Sequence, residues 1–375
     1  MKYLFEFAEY LESTTQDQSF GILGDTGTDS QFGEQTGYFK ELIQYANSLS
    51  LDAFVFTDFT SNGCTAWTLA NDNWTSVVRG LPAVFYDRSF KNKTNTGKTS
   101  NTRFLLNLGC TPLNSPDFRK VSLDKYLTHE TLINEDLGKL KIPHTQKYSK
   151  SNLIKFMSNY PETIIKPRFG SGGKGIIKVS KKESGYLINY LDKSTTATDS
   201  NLVDRIDEVR KSMRSNGRIY IIQECIALPK YNGGVFDVRV MYQRDKAKKP
   251  VRTGMAVRLA EPSKITANLH QGGSKETLSN ILKSIFNQDI DGPIAQSIRD
   301  ASQVIFDILD KKCGPIGEIG LDFLIDQSGE IHLLEVNSIP GRNLFKILPD
   351  IRKIAIQRPV DYAKRLLKDL TKKSR

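Results

Sequence analysis

Residues 164–179, IIKPRFGSGGKGIIKV, limit the possible folds more than any other stretch of the chain. The glycines satisfy G-x-G-x-x-G, a spacing shared by three unrelated kinds of phosphate-binding loop. A Walker A loop is excluded, because Arg168 stands six residues before Lys174 where glycine is required, and Gly175 follows the lysine. A dinucleotide fingerprint must open a helix, yet IIKVSKKESGYLI is β-branched and alternating, so it predicts a strand. A strand–glycine loop–strand hairpin remains. Its backbone N–H groups can fold over phosphates where glycine permits positive φ, and Lys166 on the first strand can reach phosphate oxygens as a point charge. Taken alone, the loop also fits a plain glycine-rich hairpin.

The rest of the chain says what kind of molecule carries this hairpin. The 375 residues allow two or three structural units, and 38% hydrophobic with 25% charged residues indicate an ordinary globular protein. Glu6, Glu9 and Glu12 interrupt the apolar N-terminal residues, which argues against a signal peptide. No apolar run approaches the roughly 18 residues of a membrane span. These features predict a cytoplasmic protein without a membrane partner. Cys64, Cys110, Cys225 and Cys313 are far apart, which argues against a disulfide framework or zinc site. The net charge of +11 lies wholly in the second half: residues 1–162 hold 16 Lys+Arg against 18 Asp+Glu, and residues 163–375 hold 37 against 24. A basic half can mean nucleic acid, but no nucleic-acid motif accompanies this excess, and binding a triphosphate and an anionic substrate is an equally good reason for it. The terminal KRLLKDLTKKSR reads as a solvated helix face and tail.

Apolar runs at 19–25, 52–57 and 81–88 suit buried parallel strands. Between the first two, Tyr38, Phe39, Leu42, Ile43, Ala46 and Leu49 recur at helical spacing. A small α/β domain is therefore expected over about 18–113, with 89–103 as a polar loop entering a helix. Two helical stretches flank KIPHTQKYS. Beyond Glu162 the texture becomes paired strands, with helices at 201–214, 274–286 and about 293–312, and a final strand pair in GEIGLDFLIDQSGEIHLLEVNS.

That last pair carries the second chemical signal. Glu335 and Asn337 are two apart on a strand and share a face. A four-residue loop over 327–330 would set Asp322 opposite Glu335 and Asn337 opposite Gly320, where the glycine leaves room. Three oxygen ligands would then converge, as magnesium requires when phosphates complete its octahedron. The alternative is that these carboxylates pair with Lys or Arg.

A glycine hairpin with an upstream lysine, followed by Asp and Glu-x-Asn on a late hairpin, resembles the ATP-grasp superfamily. The segments FGILGD…EQTGYF, LPAVFYDR, DKYLTHETL, FDVRVMYQRD, TGMAVRLA, NLHQGG and GEIGLDFLID…EVNSIPGR make it similar, more narrowly, to YheC/YheD-type ATP-grasp proteins over roughly 19–345. The resemblance implies an α/β and α+β chain: an N-terminal α/β pre-ATP-grasp domain (1–113), a helical connection (114–160), a small subdomain with the flap (161–228) and a C-terminal subdomain with the metal site (229–375).

The family's two nucleotide-gripping lysines match Lys125 and Lys166, and its flap matches Gly170, Ser171, Gly172, Gly173, Lys174 and Gly175. Gln223, Glu224, Cys225 and Ile226 correspond to the hinge at the adenine ring. Arg239 and Arg258 would face the transferred phosphoryl group, as buried arginines in need of an anion. Asn268 would lie near the γ-phosphate and metals. Asp237 would contact ribose or pair with an arginine. His270 would contact substrate or act as a base, Gly272 and Gly273 would let substrate approach, and Arg342 would hold a substrate carboxylate. The implied activity is an ATP- and Mg2+-dependent carboxylate–amine ligase acting through an acyl phosphate, with an amino acid or peptide acceptor and no nucleic acid. A kinase acting on a hydroxyl, or a non-catalytic coat or scaffold protein, is the alternative. Trp67, Trp74 and Tyr86 read as core residues before substrate contacts.

Overall fold

The computed structural model describes residues 17–90, 100–170, 172–213, 217–262, 264 and 272–373. They form two compact units. The first comprises the described residues up to Pro116, together with Arg244–Lys249 and the chain from Ile356 onward. The second comprises Asp117–Gln243 and Pro250–Ala355.

In the first unit, β1 (Asp17–Leu23), α1 (Thr36–Ser48), β2 (Ala53–Thr60), β3 (Gly63–Ala70), β4 (Asn73–Arg79), β5 (Pro82–Asp87), α2 (Asn101–Asn107) and β6 (Thr111–Pro112) follow in order. The sheet order is β4-β3-β2-β1-β5-β6, and β1 pairs parallel with both β2 and β5. The three apolar runs are thus parallel neighbours, as their lack of alternation predicted. Phe39, Leu42, Ile43 and Ala46 of α1 pack with Phe20 and Ile22 of β1, Val55 and Val84. Between β2 and β5 the chain forms an antiparallel β3–β4 hairpin that the sequence reading missed. Its turn uses Asn71 and Asp72, both with positive φ (47° and 65°), the geometry that a two-residue hairpin favours.

The second unit begins with α3 (Pro116–Leu123), α4 (Lys125–Leu132), β7 (Thr145–Lys147) and α5 (Lys150–Asn159). Next come β8 (Glu162–Pro167), β9 (Ile177–Lys182), β10 (Gly185–Tyr190), β11 (Lys193–Ala197), α6 (Leu202–Ser212) and β12 (Tyr220–Glu224). They build an antiparallel sheet in the order β11-β10-β9-β8-β12-β7. The glycine loop joins β8 to β9, a strand and not a helix, so the hairpin reading holds. A second sheet, β15-β14-β13-β16-β17, is formed by β13 (Phe236–Arg244), β14 (Pro250–Leu259), β15 (Ser274–Glu276), β16 (Glu318–Ile325) and β17 (Ile331–Asn337). The helices α7 (Leu278–Phe286) and α8 (Pro293–Cys313) pack Ile281, Leu282, Ile298, Ile305 and Leu309 into the core with Val238, Leu321 and Phe323. The expected helix over 274–286 is corrected: residues 274–276 are strand, and Thr277 caps a helix beginning at Leu278.

The final helix, α9 (Pro349–Lys373), is divided between the units. Val360, Ala363 and Leu367 belong to the core of the first unit. Residues from 356 onward therefore do not stay with the C-terminal subdomain as the boundary at 229–375 supposed, because this helix has an apolar stripe and the first unit covers it. All four cysteines are free. Among the described residues no helix is long and apolar enough to cross a membrane.

Candidate functional site

The site is assembled from strands of both sheets of the second unit, including the edge strand β17, and the start of α4. Asp124 is the N-cap of α4: its Oδ1 accepts from the amides of Tyr126 and Leu127, both at 3.1 Å. Arg168, just past β8, grips the same carboxylate through Nε (2.7 Å) and Nη2 (2.5 Å), and its carbonyl accepts from the Lys125 amide at 3.1 Å. This Asp124–Arg168 tie ties the first residue of the helix to the root of the glycine hairpin. Neither residue was given this role from the sequence, although Asp before an apolar helical run is a capping signal.

Lys125 is placed by that tie. Its Nζ lies 2.5 Å from the Gly170 carbonyl oxygen and 3.2 Å from Glu335 Oε1. In the hairpin loop, Gly170, Gly172, Gly173 and Gly175 all have positive φ, between 67° and 106°, a region that glycine enters without a Cβ penalty. Lys174 is exposed. Lys166 is buried on β8 and donates to Gln223 Oε1 at 2.6 Å. Burial pushes its ammonium down to about 8; the like charge of Lys125 adds to this and Glu335 opposes it. Lys125, Lys166, Gln223 and Glu335, with His129 and Ile142, line a recess. His129 was not expected here from the sequence. It is buried and lowered from its ordinary value by that burial.

At the end of β12 the Glu224 amide donates to the His144 carbonyl (2.9 Å) and the Cys225 amide to that of Glu162 (3.2 Å). These two hinge amides are thus committed within the fold. Burial raises the Cys225 thiol, although Lys178 pulls it the other way.

The second constellation is on β13, β14, β16 and β17. Asp322 is fully buried. One of its oxygens accepts from Arg239 Nε; the other accepts from Arg239 Nη2 (2.8 Å), Arg258 Nη2 (2.7 Å) and Asn337 Nδ2 (3.2 Å). Arg258 also grips Asp237, at 2.6 Å. Burial alone would push Asp322 up, but the two guanidiniums outweigh it and hold the carboxyl below its ordinary value. Asp237 is raised, by burial above all. Two arginines, Arg239 buried and Arg258 half-buried, close on two aspartates, with Asp322 pairing with both and Asp237 with Arg258. The pairing of Asp237 with an arginine is one of the two possibilities named for it.

Asp322 stands opposite Glu335, and Gly320 opposite Asn337, the register read from the sequence. The route to it differs. The loop has five residues, with Ile325 opposite Ile331, and a bulge between Asp322 and Phe323 restores the pairing. Asp326 closes that loop by accepting from the amides of Ser328 (2.9 Å) and Glu330 (3.0 Å). The space beside Gly320 is not open: a Cβ there would stand 2.8 Å from Pro340 Cβ and 3.5 Å from Arg239 Cδ. Arg342 is 4% exposed, pairs with buried Glu318 and donates to the Pro340 carbonyl at 2.6 Å. Trp67 and Trp74 pack edge-on against Phe32 (6.2 and 4.9 Å between centroids), and Tyr86 is buried, as core residues should be. Ser171, Asn268 and His270 lie outside the described residues.

Residues 114–366 match the family described as YheC/D-like ATP-grasp. The endospore coat-associated protein YheD of Bacillus subtilis (strain 168) is 26% identical over 342 residues, 88% of this chain and 74% of that protein. D-alanyl-alanine synthetase A from Vibrio cholerae superposes with a TM-score of 0.58 at 11% identity, covering 95% of this chain and all of that one. The VanG D-Ala:D-Ser ligase from Enterococcus faecalis does so with 0.58 at 14%, covering 94% and 100%. At such identities the likeness establishes a shared fold.

Proposed function

The chain belongs to the YheC/D-like ATP-grasp family, and from that premise we propose that it is an ATP-dependent ligase joining a carboxylate to an amine. The observation that carries this reading is the unbalanced charge of the recess, where Lys125 and Lys166 face the single carboxylate of Glu335. A buried ammonium held only by an amide oxygen is costly. A polyphosphate supplies the missing anion, so the residues present fit ATP. Lys125 and Lys166 would hold its phosphates, the 170–175 hairpin would cover them, and the base would lie toward Ile142 and the end of β12.

Glu335 and Asn337 are the residues that would hold magnesium, which when bound offsets charge on the β- and γ-phosphate oxygens. Asp322 fits that role less well, since both its oxygens already accept from guanidiniums. The γ-phosphoryl group passes to the substrate carboxylate, giving an acyl phosphate and ADP. The amine then attacks the carbonyl carbon, expels phosphate and loses a proton to solvent. A closing hairpin excludes the water that would otherwise hydrolyse the acyl phosphate. The solved relatives by fold are named as a D-alanyl-alanine synthetase and a D-Ala:D-Ser ligase, which supports an amino acid or peptide acceptor. Dependence on ATP suits a cytoplasmic site of action.

The test is product analysis with MgATP and an ultrafiltered metabolite and peptide extract. ADP with equal free phosphate and a new condensed mass supports the ligase. A phosphorylated product without free phosphate identifies a kinase instead, and no nucleotide turnover contradicts both.

A further inference from the structure

Lys166 does not choose its own position. In the sheet, Thr145 on β7 stands directly opposite Gln223 on β12, and Lys166 on β8 stands opposite Ile221, two residues from Gln223 on the same face. The three side chains therefore lie in a row across three strands. Thr145 is buried, and its hydroxyl donates to the Pro143 carbonyl at 2.8 Å. A threonine hydroxyl has one proton. With that proton on Pro143, the oxygen can only accept, and it accepts from Gln223 Nε2 at 2.9 Å. The amide is thereby held one way round, with Oε1 toward Lys166 Nζ at 2.6 Å. Turned over, the same amide would present N–H donors to an ammonium that has none to accept them.

We infer that Thr145 is a positioning residue for nucleotide binding: through the polarity of Gln223 it holds the Lys166 ammonium where the phosphates are received. This rests on the reading of Lys166 as a phosphate-binding lysine. Thr145 touches no ligand and acts only through the amide, which gives it a distinctive signature. A glutamate at 223 accepts through either oxygen, so it needs no partner to fix its direction.

The experiment is a calorimetric titration of ATP into the full chain and its variants, with thermal midpoints recorded alongside. Thr145→Val is expected to weaken ATP binding about tenfold, while Thr145→Ser, which keeps the hydroxyl, stays within about twofold. In a Gln223→Glu background, Thr145→Val is expected to cost nothing further, a non-additivity that loss of packing does not produce. The inference is overturned if Thr145→Val leaves ATP binding unchanged, or if it costs the same in both backgrounds. Absence of ATP binding by the unaltered chain overturns the reading of Lys166 itself, an outcome distinct from the other two.

Discussion

Two charged constellations lie in the second unit and are built on opposite principles. Around Asp322, two arginines and two aspartates balance, and the carboxylate's oxygens are all engaged. Around Lys166, two lysines face one glutamate, and a buried ammonium is held by a neutral amide. Burying charge is tolerable when it is paired and expensive when it is not. A balanced cluster thus contributes a fixed arrangement of strands, whereas a surplus marks a place where the fold gives up stability for a ligand.

The largest effect should come from breaking the balanced cluster. Asp322→Asn leaves Arg239 and Arg258 sharing only Asp237, and should cost about 3–5 kcal/mol in urea denaturation. A loss below about 1 kcal/mol would mean that this cluster is not structural, and the contrast would collapse. Next in size, Glu335→Gln should lower ADP formation about a hundredfold, by removing a carboxylate that would hold magnesium. Lys372→Ala, an exposed change in α9, should leave ADP formation unaltered.

A smaller effect separates the two regions by pH. Lys166 is lowered from 10.5 to about 8 in the folded chain. Between those values the unfolded chain binds more protons, so the contribution of Lys166 to stability rises as pH climbs from about 8 toward 10.5. Urea midpoints of the unaltered chain, measured against Lys166→Met at pH 7.5 and 9.5, should show that rise vanish in the variant. The smallest change is expected at the exposed Lys248–Asp369 pair of the first unit, 2.8 Å apart, where Lys248→Ala should shift stability by less than about 0.5 kcal/mol.

How far the sequence could be read depended on whether local pattern or tertiary partners decided each feature. The parallel strands β1, β2 and β5 were legible because continuous apolar runs have one explanation, burial on both faces. The β8–β9 hairpin was legible because β-branched residues follow the glycines. The β3–β4 hairpin was missed, since threonines and an Asn-Asp turn look like loop until the pairing is seen. The register of Asp322 and Glu335 was correct, although a five-residue loop and a bulge replaced the expected four-residue loop. Partners across the sheet left no mark in the chain: nothing near Arg342 announces Glu318, and nothing near Lys166 announces Gln223 or Thr145.

The central claim is that the surplus positive charge at the recess exists to receive a nucleotide. The direct test is calorimetric titration of ATP into the unaltered chain and into Lys166→Met. The account predicts binding by the first, affinity at least about a hundredfold weaker in the second, and a thermal midpoint in the variant no lower than that of the unaltered chain, because a costly buried charge has been removed. Equal affinity in both, or a variant that loses its fold along with its binding, would contradict it.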